Sequence, residues 1–535
     1  MGNHQVINGV ESRTAAGCTL SGGEVAPLKK GLPKTIRSLC PECMNVIDAE
    51  LYPENGKVMM RKSCPRHGSW TDIYWGDVDL YLRAEKWFFH DGRGLSNPQE
   101  KSTGNCPFEC GLCSSHTSHT GLGNIDLTNR CNLTCPICFA NANVTKYVYE
   151  PTLAQVRDML LTYRKCLPVS GRIIQFSGGE PTISPIFLDS LRMARELGFT
   201  HIQIASNGLK FTDEDFAHAA AEAGLHTIYL QFDGLSDDIY RVTRGRAILE
   251  EKLKAIENIR RAGMKIAFVV TVVKGLNDHH VGEILKFAVE NVDVVAGISY
   301  QPVCFTGRIS REERMAKRIT LPDVMKGLCE QTGITRPTDF YPVCSSVAFS
   351  KLFGVLRGVD NVEFTCHPHC TLCTYLVVDP GGKAHCFSRF IDTEEFFPAL
   401  YKLADKLKKS RIKSLAKLKT FYTLKKFWHQ DRAPEGLTFE KFAHTLSGIV
   451  DKNVGRGEGE KGTYKTLMVG GMHFMDAYNY DLDRVRRCVI HFATPEGKLV
   501  SFCSYNSGPT YRTSTERKFS IPLDEWKKKQ GETGE

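Results

Sequence analysis

Residues 125–138 read IDLTNRCNLTCPIC, a short apolar run followed by Cys131, Cys135 and Cys138 at C-x3-C-x2-C spacing. A second β-rich run, IIQFSGGEP at 173–181, ends on two glycines and a glutamate. Thiolates bind soft and borderline metals, and iron–sulfur clusters are usually held by cysteine. Three closely spaced thiols can hold three corners of a four-iron cube and leave the fourth for another ligand. Gly178 and Gly179 let the backbone come close to such a ligand, and Glu180 offers negative charge to an ammonium.

The flanking sequence sets both motifs at strand ends. IDLT, RIIQFSGGEP, HIQIASNG, TIYLQFDG, KIAFVVTVV and VVAGISYQP are β-rich, and between them lie helical stretches such as PTLAQVRDMLLTYRKCL and RAILEEKLKAIENIRRAG. Repeated alternation means parallel strands with right-handed crossovers. Six such units predict an α/β fold, a partial (β/α)6 TIM-type barrel over 121–335, in preference to an open sheet. In either architecture ligands gather at the C-terminal strand ends, where SGGEP, SNG and QFDG fall.

The chain has 535 residues and 20 cysteines. The three-thiol spacing recurs at Cys106, Cys110 and Cys113 and at Cys366, Cys370 and Cys373. The start, MGNHQVINGVESRT, has no basic region followed by an apolar core, and no apolar run approaches the roughly 20 residues that span a bilayer. A cytoplasmic chain is therefore expected, and in a reducing compartment clustered thiols read as metal ligands rather than disulfides. Cys18, Cys166 and Cys329 stand alone and fit ordinary buried thiols. The outer triplets lack a GGEP partner and read as auxiliary clusters. Cys386 or Cys344 could complete the third triplet, and Cys488 or Cys503 either one; Cys304 is another candidate. Zinc bound through His367 or His369 is an alternative for CHPHCTLC.

A loose leader covers 1–35, and 36–120 form an N-terminal metal-binding region. Within it, LCPECMNVIDAELYPENGKVMMRKSCPRHG (39–68) predicts a hairpin between two knuckles, Cys40 with Cys43 and Cys64 with His67. That set suits mononuclear zinc or a rubredoxin-like iron. An auxiliary domain is expected over 336–520, followed by a polar tail over 521–535. The net charge of +9 is modest and does not call for nucleic acid. Much of it lies in YKLADKLKKSRIKSLAKLKTFYTLKKFW, 401–428. As a basic amphipathic helix this segment suits either an anionic membrane surface or a core-packed helix with a solvated face.

C-x3-C-x2-C after one strand with GGEP after the next resembles the radical S-adenosylmethionine (SAM) superfamily. The resemblance implies that Cys131, Cys135 and Cys138 hold a [4Fe–4S] cluster whose open iron binds SAM. It implies that Gly178, Gly179 and Glu180 meet the methionine amine, with Ser206, Asn207, Gln231 and Asp233 as further SAM contacts; ordinary turn chemistry competes for those four. A reduced cluster would then split SAM to methionine and a 5′-deoxyadenosyl radical. The order CPEC…CPRHG, NCPFECGLC, LTNRCNLTCPICFANA, QFSGGEPT, QPVCFTGR, FYPVC and GGMHFMDAYNYDLDRVRRCVIHF resembles the archaeal tetraether lipid synthase group. That implies two auxiliary [4Fe–4S] clusters, a mononuclear iron or zinc, a small-protein electron donor, a lipid substrate at a membrane surface, and carbon–carbon joining of lipid tails. Two other readings stand beside it: a radical SAM C-methyltransferase acting on a pterin-like ring, which needs a polar pocket, and an iron–sulfur electron carrier or sensor.

Overall fold

The computed structural model describes residues 27–305, 310–358, 360–408, 420, 422–442 and 463–530. Four strands, β1 (Lys34–Leu39), β2 (Val46–Glu54), β3 (Lys57–Cys64) and β4 (Gly68–Trp75), make an antiparallel sheet in chain order. The expected hairpin is the β2–β3 pair, turned at Asn55-Gly56, both in the left-handed region.

There follow β5 (Leu122–Thr128), β6 (Tyr147–Tyr149), β7 (Ile173–Gly178), β8 (His201–Ser206), β9 (Thr227–Gln231), β10 (Lys265–Val272), β11 (Val295–Pro302), β12 (Thr371–Val378), β13 (Ala384–Cys386), β14 (Lys465–Met472), β15 (Ile490–Ala493), β16 (Leu499–Ser501) and β17 (Ser520–Pro522). The six strands read from the sequence, β5 and β7 to β11, run parallel side by side. Helices 153–164, 187–196, 214–223, 249–261 and 281–290 return the chain between successive strands. This is a partial (β/α)6 barrel.

The sheet does not stop at six strands. β14 joins β11 and β15 joins β5, both in parallel, while β12–β13 and β16 extend the two edges antiparallel. The segment 336–520 thus lends its strands to the barrel's own sheet on both sides. Along β10, Ile266, Phe268, Val270 and Val272 are fully buried, whereas Lys265, Ala267, Val269 and Thr271 line the lumen. Period-two alternation therefore separates a helix-packed face from a cavity face.

The polar tail expected from 521 is folded as far as 530: β17 pairs with β6, and the following helix, 523–529, sets Trp526 against Glu150 and under Arg130. Of the basic segment, 409–419 and 421 lie outside the described residues. Residues 401–408 belong to the helix Thr393–Lys408, whose Leu400, Leu403, Ala404 and Leu407 are buried in a core with Phe390, Phe396 and Phe397, and Leu424, Phe427 and Trp428 pack against the same core. That apolar face packs against protein.

Candidate active site

The thiols of Cys131, Cys135 and Cys138 stand half-buried on the loop after β5, at the rim of a cavity of about 2660 Å³ that fills the barrel. Asn143, held at φ 65°, ties the loop: its side chain accepts from Cys131 N–H and donates to the carbonyls of Cys131 and Leu133. Each sulfur faces a donor. Leu133 N–H points at Cys131 Sγ (3.4 Å), Ala142 N–H at Cys138 Sγ (3.5 Å), and the Arg244 guanidinium at Cys135. Burial raises the Cys131 and Cys135 thiols, and the donors aimed at them oppose that rise. This donor set fits three cysteine ligands of a cluster.

The two glycines do something the sequence reading missed. Gly178 has φ +131°, and a Cβ there would sit 2.1 Å from Thr128 O; one on Gly179 would sit 2.2 Å from Arg130 O. Gly179 and Glu180 donate their N–H groups to those same carbonyls, at 2.8 and 2.9 Å. The glycines therefore dock the end of β7 onto the cysteine loop, besides leaving room for a ligand.

Glu180 is buried, and its carboxylate accepts from Thr182 N–H and Oγ1, Ser206 Oγ (2.8 Å) and Asn207 N–H (2.7 Å). Burial raises its pKa, and these donors hold it down. Asn207 reaches Asn132 Oδ1 (2.7 Å) and Cys131 Sγ (3.8 Å) through its side-chain amide. Asp233 is fully buried and pairs with Arg244 at 2.7 Å. Asn207 thus reaches the cysteine loop directly, Asp233 only through Arg244, which also donates to Ile137 O, and Ser206 bonds Glu180 rather than the loop.

Lys252 escaped the sequence reading. Its buried Nζ donates to Asn207 O (2.5 Å), Gln231 O (2.8 Å) and Gln231 Oε1 (2.7 Å), pinning the ends of β8 and β9 together. Burial pushes this amine down to about 7. The signal was present: Lys252 occupies the buried stripe Ile248–Lys252–Ile256–Ile259 of its helix.

Among the lumen-facing positions below the strand ends are Gln175, Gln203, Tyr229, Gln231, Thr271, Ser299 and Gln301, interleaved with apolar Ala205, Ala267, Val269 and Met468. A closed TIM barrel fills this space with branched apolar side chains. Phe139 leads an aromatic wall with Phe474 and Phe502, ring centroids 5.6 and 5.8 Å away.

Of the outer thiols, Cys106, Cys110 and Cys113 gather around a small cavity with Arg486, whose buried Nε makes no hydrogen bond. Cys344 stands within electrostatic reach of Cys366, Cys370 and Cys373. Cys386 turns elsewhere, its thiol meeting the hydroxyls of Thr374 and Ser388 at 3.3 Å and lying beside Cys329. His369 stacks on Tyr81 and bonds its carbonyl, and His367 Nδ1 accepts from His369 N–H. Cys488 neighbours Cys366 and Cys503, and Cys304 also faces Cys503. In the N-terminal sheet the ligand atoms of Cys40, Cys43, Cys64 and His67 lie within 4.8 Å of one another, the one group drawn that tightly among the described residues. That closeness suits a single ion.

The Radical SAM superfamily profile matches residues 125–288, and the HMPTM N-terminal zinc ribbon domain matches 32–76. A 7,8-dihydro-6-hydroxymethylpterin dimethyltransferase from Methanocaldococcus jannaschii is 42% identical over 500 residues, 93% of this chain and 97% of that protein. The chain belongs to the radical SAM superfamily, in one family with this relative. A probable GTP 3',8-cyclase of Methanothermobacter thermautotrophicus is 25% identical over 48% of this chain and 81% of its own. Among solved structures, Streptococcus suis SuiB bound to S-adenosylmethionine aligns with TM-score 0.32 and 18% identity, over 39% of this chain and 46% of its own.

Radical SAM membership implies a [4Fe–4S] cluster and SAM as cofactors, and the ribbon supplies a zinc or iron site. The expected joining of lipid tails, with its lipid substrate and membrane surface, is overturned: the near full-length relative is named for methylating a pterin. Among the described residues no helix is long and apolar enough to cross a membrane.

Proposed function

We propose that this radical SAM protein is a C-methyltransferase acting on 7,8-dihydro-6-hydroxymethylpterin or a close pterin. The observation that carries the reading is 42% identity across nearly all of both chains to a protein named for that reaction. The amide and hydroxyl groups of Gln175, Gln203, Ser299 and Gln301 in the lumen support it, because a small polar heterocycle needs a few placed donors and acceptors in an otherwise apolar cavity.

In this reading Cys131, Cys135 and Cys138 hold the catalytic cluster, and Gly178, Gly179, Glu180, Ser206, Asn207, Gln231 and Asp233 shape the SAM pocket. The reduced cluster with bound SAM supplies a 5′-deoxyadenosyl radical able to take hydrogen from carbon. The chain's own part is to orient and to exclude water. Arg244 and the loop N–H groups steady the thiolates, and the Phe139–Phe474–Phe502 wall shields one side. Cys106, Cys110 and Cys113, and Cys366, Cys370 and Cys373 with Cys344, are assigned to auxiliary clusters. Cys40, Cys43, Cys64 and His67 are assigned to the mononuclear ion.

The test is mass spectrometry of the pterin recovered from anaerobic reactions containing reconstituted protein, SAM, reductant and a one-carbon donor. Added methyl groups on the ring system are expected. Pterin returned unchanged under every donor tried would defeat the reading.

A further inference from the structure

Inside the barrel, Asn124, Gln175 and Gln203 form a single cross-strand row. Asn124 pairs in register with Gln175, and Gln175 with Gln203. Their side chains repeat the connection: Gln203 Nε2 donates to Gln175 Oε1 (2.6 Å), and Gln175 Nε2 donates to Asn124 Oδ1 (2.8 Å). At the far end the His201 ring donates Nε2–H to Gln203 Oε1 at 3.1 Å. At the near end Asn124 Nδ2 is buried without an acceptor. Gln175 and Gln203 both line the cavity.

We propose that this amide row recognises the amino-lactam edge of the pterin ring. The inference rests on the functional reading above and says which end of the substrate goes where. Each glutamine of the row spends one N–H and one oxygen lone pair on its neighbours and keeps a second of each, whereas Asn124 gives the row only an oxygen lone pair. That leaves alternating donors and acceptors along one wall. The amino-lactam edge of a pterin carries the matching alternation on its pyrimidine ring. No backbone need explains the row, because the parallel ladder already satisfies these three strands and branched apolar side chains would pack the space.

Depth agrees with this placement. Gln175 lies three residues below Gly178, about 10 Å at the rise of a parallel strand. A bicyclic ring standing upright on the row would hold its other ring, with the hydroxymethyl-bearing carbon, toward Cys131 and Glu180 at the strand ends. The substrate edge that is read and the carbons that react would then be at opposite ends of one molecule.

The experiment measures binding of 7,8-dihydro-6-hydroxymethylpterin to the anaerobically reconstituted full chain by its fluorescence. The matching dihydrolumazine, with oxygen where pterin has its amino group, serves as the second ligand. Wild type is expected to prefer the pterin. Gln175→Leu and Gln203→Leu are expected to weaken pterin binding about tenfold or more and to lose most of that preference. Iron and sulfide content checks that each variant has folded. Should a leucine variant fail to load iron, the isosteric Gln203→Glu, which removes a donor without changing shape, is expected to weaken pterin binding equally. Variants that bind the pterin as wild type does, or keep its full preference, would overturn the inference. A wild type that binds no pterin would instead overturn the functional reading beneath it.

Discussion

Arg318 and Asp72 meet at 2.7 Å, each with only 1% of its side chain exposed. Asp72 sits on the last ribbon strand, and Arg318 follows the helix 311–317 beyond β11. The same guanidinium holds Asp476, which in turn accepts from Phe305 N–H on the cavity wall. A second arginine, Arg314, also bonds Asp72 at 2.7 Å. The metal ribbon is thus joined to the lumen wall by a buried charge network.

Removing one partner of such a network leaves uncompensated charge in the interior. Arg318→Ala is expected to lower stability by about 3–5 kcal/mol. Anaerobic denaturant titration against wild type measures it. A loss within the range of surface ion pairs, about 1 kcal/mol or less, would mean that the network carries little.

The ribbon itself depends on its ion. Cys43→Ser is expected to cost the protein its mononuclear metal while the iron–sulfide content of the remaining sites persists. Elemental analysis beside sulfide determination separates the two. It also decides between zinc and iron, because the ligand set Cys40, Cys43, Cys64 and His67 suits both.

Lys252→Met is expected to weaken SAM binding about tenfold, by releasing the ends of β8 and β9. An ammonium has only donors, so it forces the oxygen of the Gln231 amide toward itself and turns Nε2 away. Without it that amide has no fixed orientation. Isothermal titration with SAM gives the answer, and an unchanged affinity would make Lys252 a packing residue only.

Glu516, buried beside Arg512 and Asp126, is pushed up to about 7 by burial. Its folded pKa lies above the unfolded value of about 4.5, so the folded state binds the extra proton. Its contribution to stability is full below about 4.5 and is lost as pH rises through about 7. Melting wild type and Glu516→Gln at several pH values checks this: the variant should gain on wild type as pH rises across that window. A constant difference would contradict the burial argument.

The barrel was legible because strand and helix alternate with clear periods, and because the cysteine loop and SGGEP fall where such folds bind ligands. Less legible was anything that depends on a distant partner. The chain around β14 and β15 reads as a separate region, yet it extends the barrel's sheet on both sides, and parallel edge pairing leaves no local signature. Gly178 and Gly179 could be read as ligand-facing; only the approach of Thr128 and Arg130 shows that they also seat the cysteine loop. Cys344 and Cys386 were equal on spacing, and the fold turns only Cys344 toward the third triplet. The lipid reading failed for a related reason: cysteine spacing reports the clusters, whereas the side chains that line the cavity, Gln175 and Gln203 among them, belong to no motif.

The central claim is that a pterin is the substrate of this radical SAM protein. Its most direct test is the rate of 5′-deoxyadenosine formation by reduced, reconstituted protein with SAM, with and without 7,8-dihydro-6-hydroxymethylpterin, and with Cys131→Ala as control. The account expects cleavage that pterin accelerates and that the cysteine variant abolishes. Cleavage indifferent to pterin, or persisting without Cys131, would contradict it.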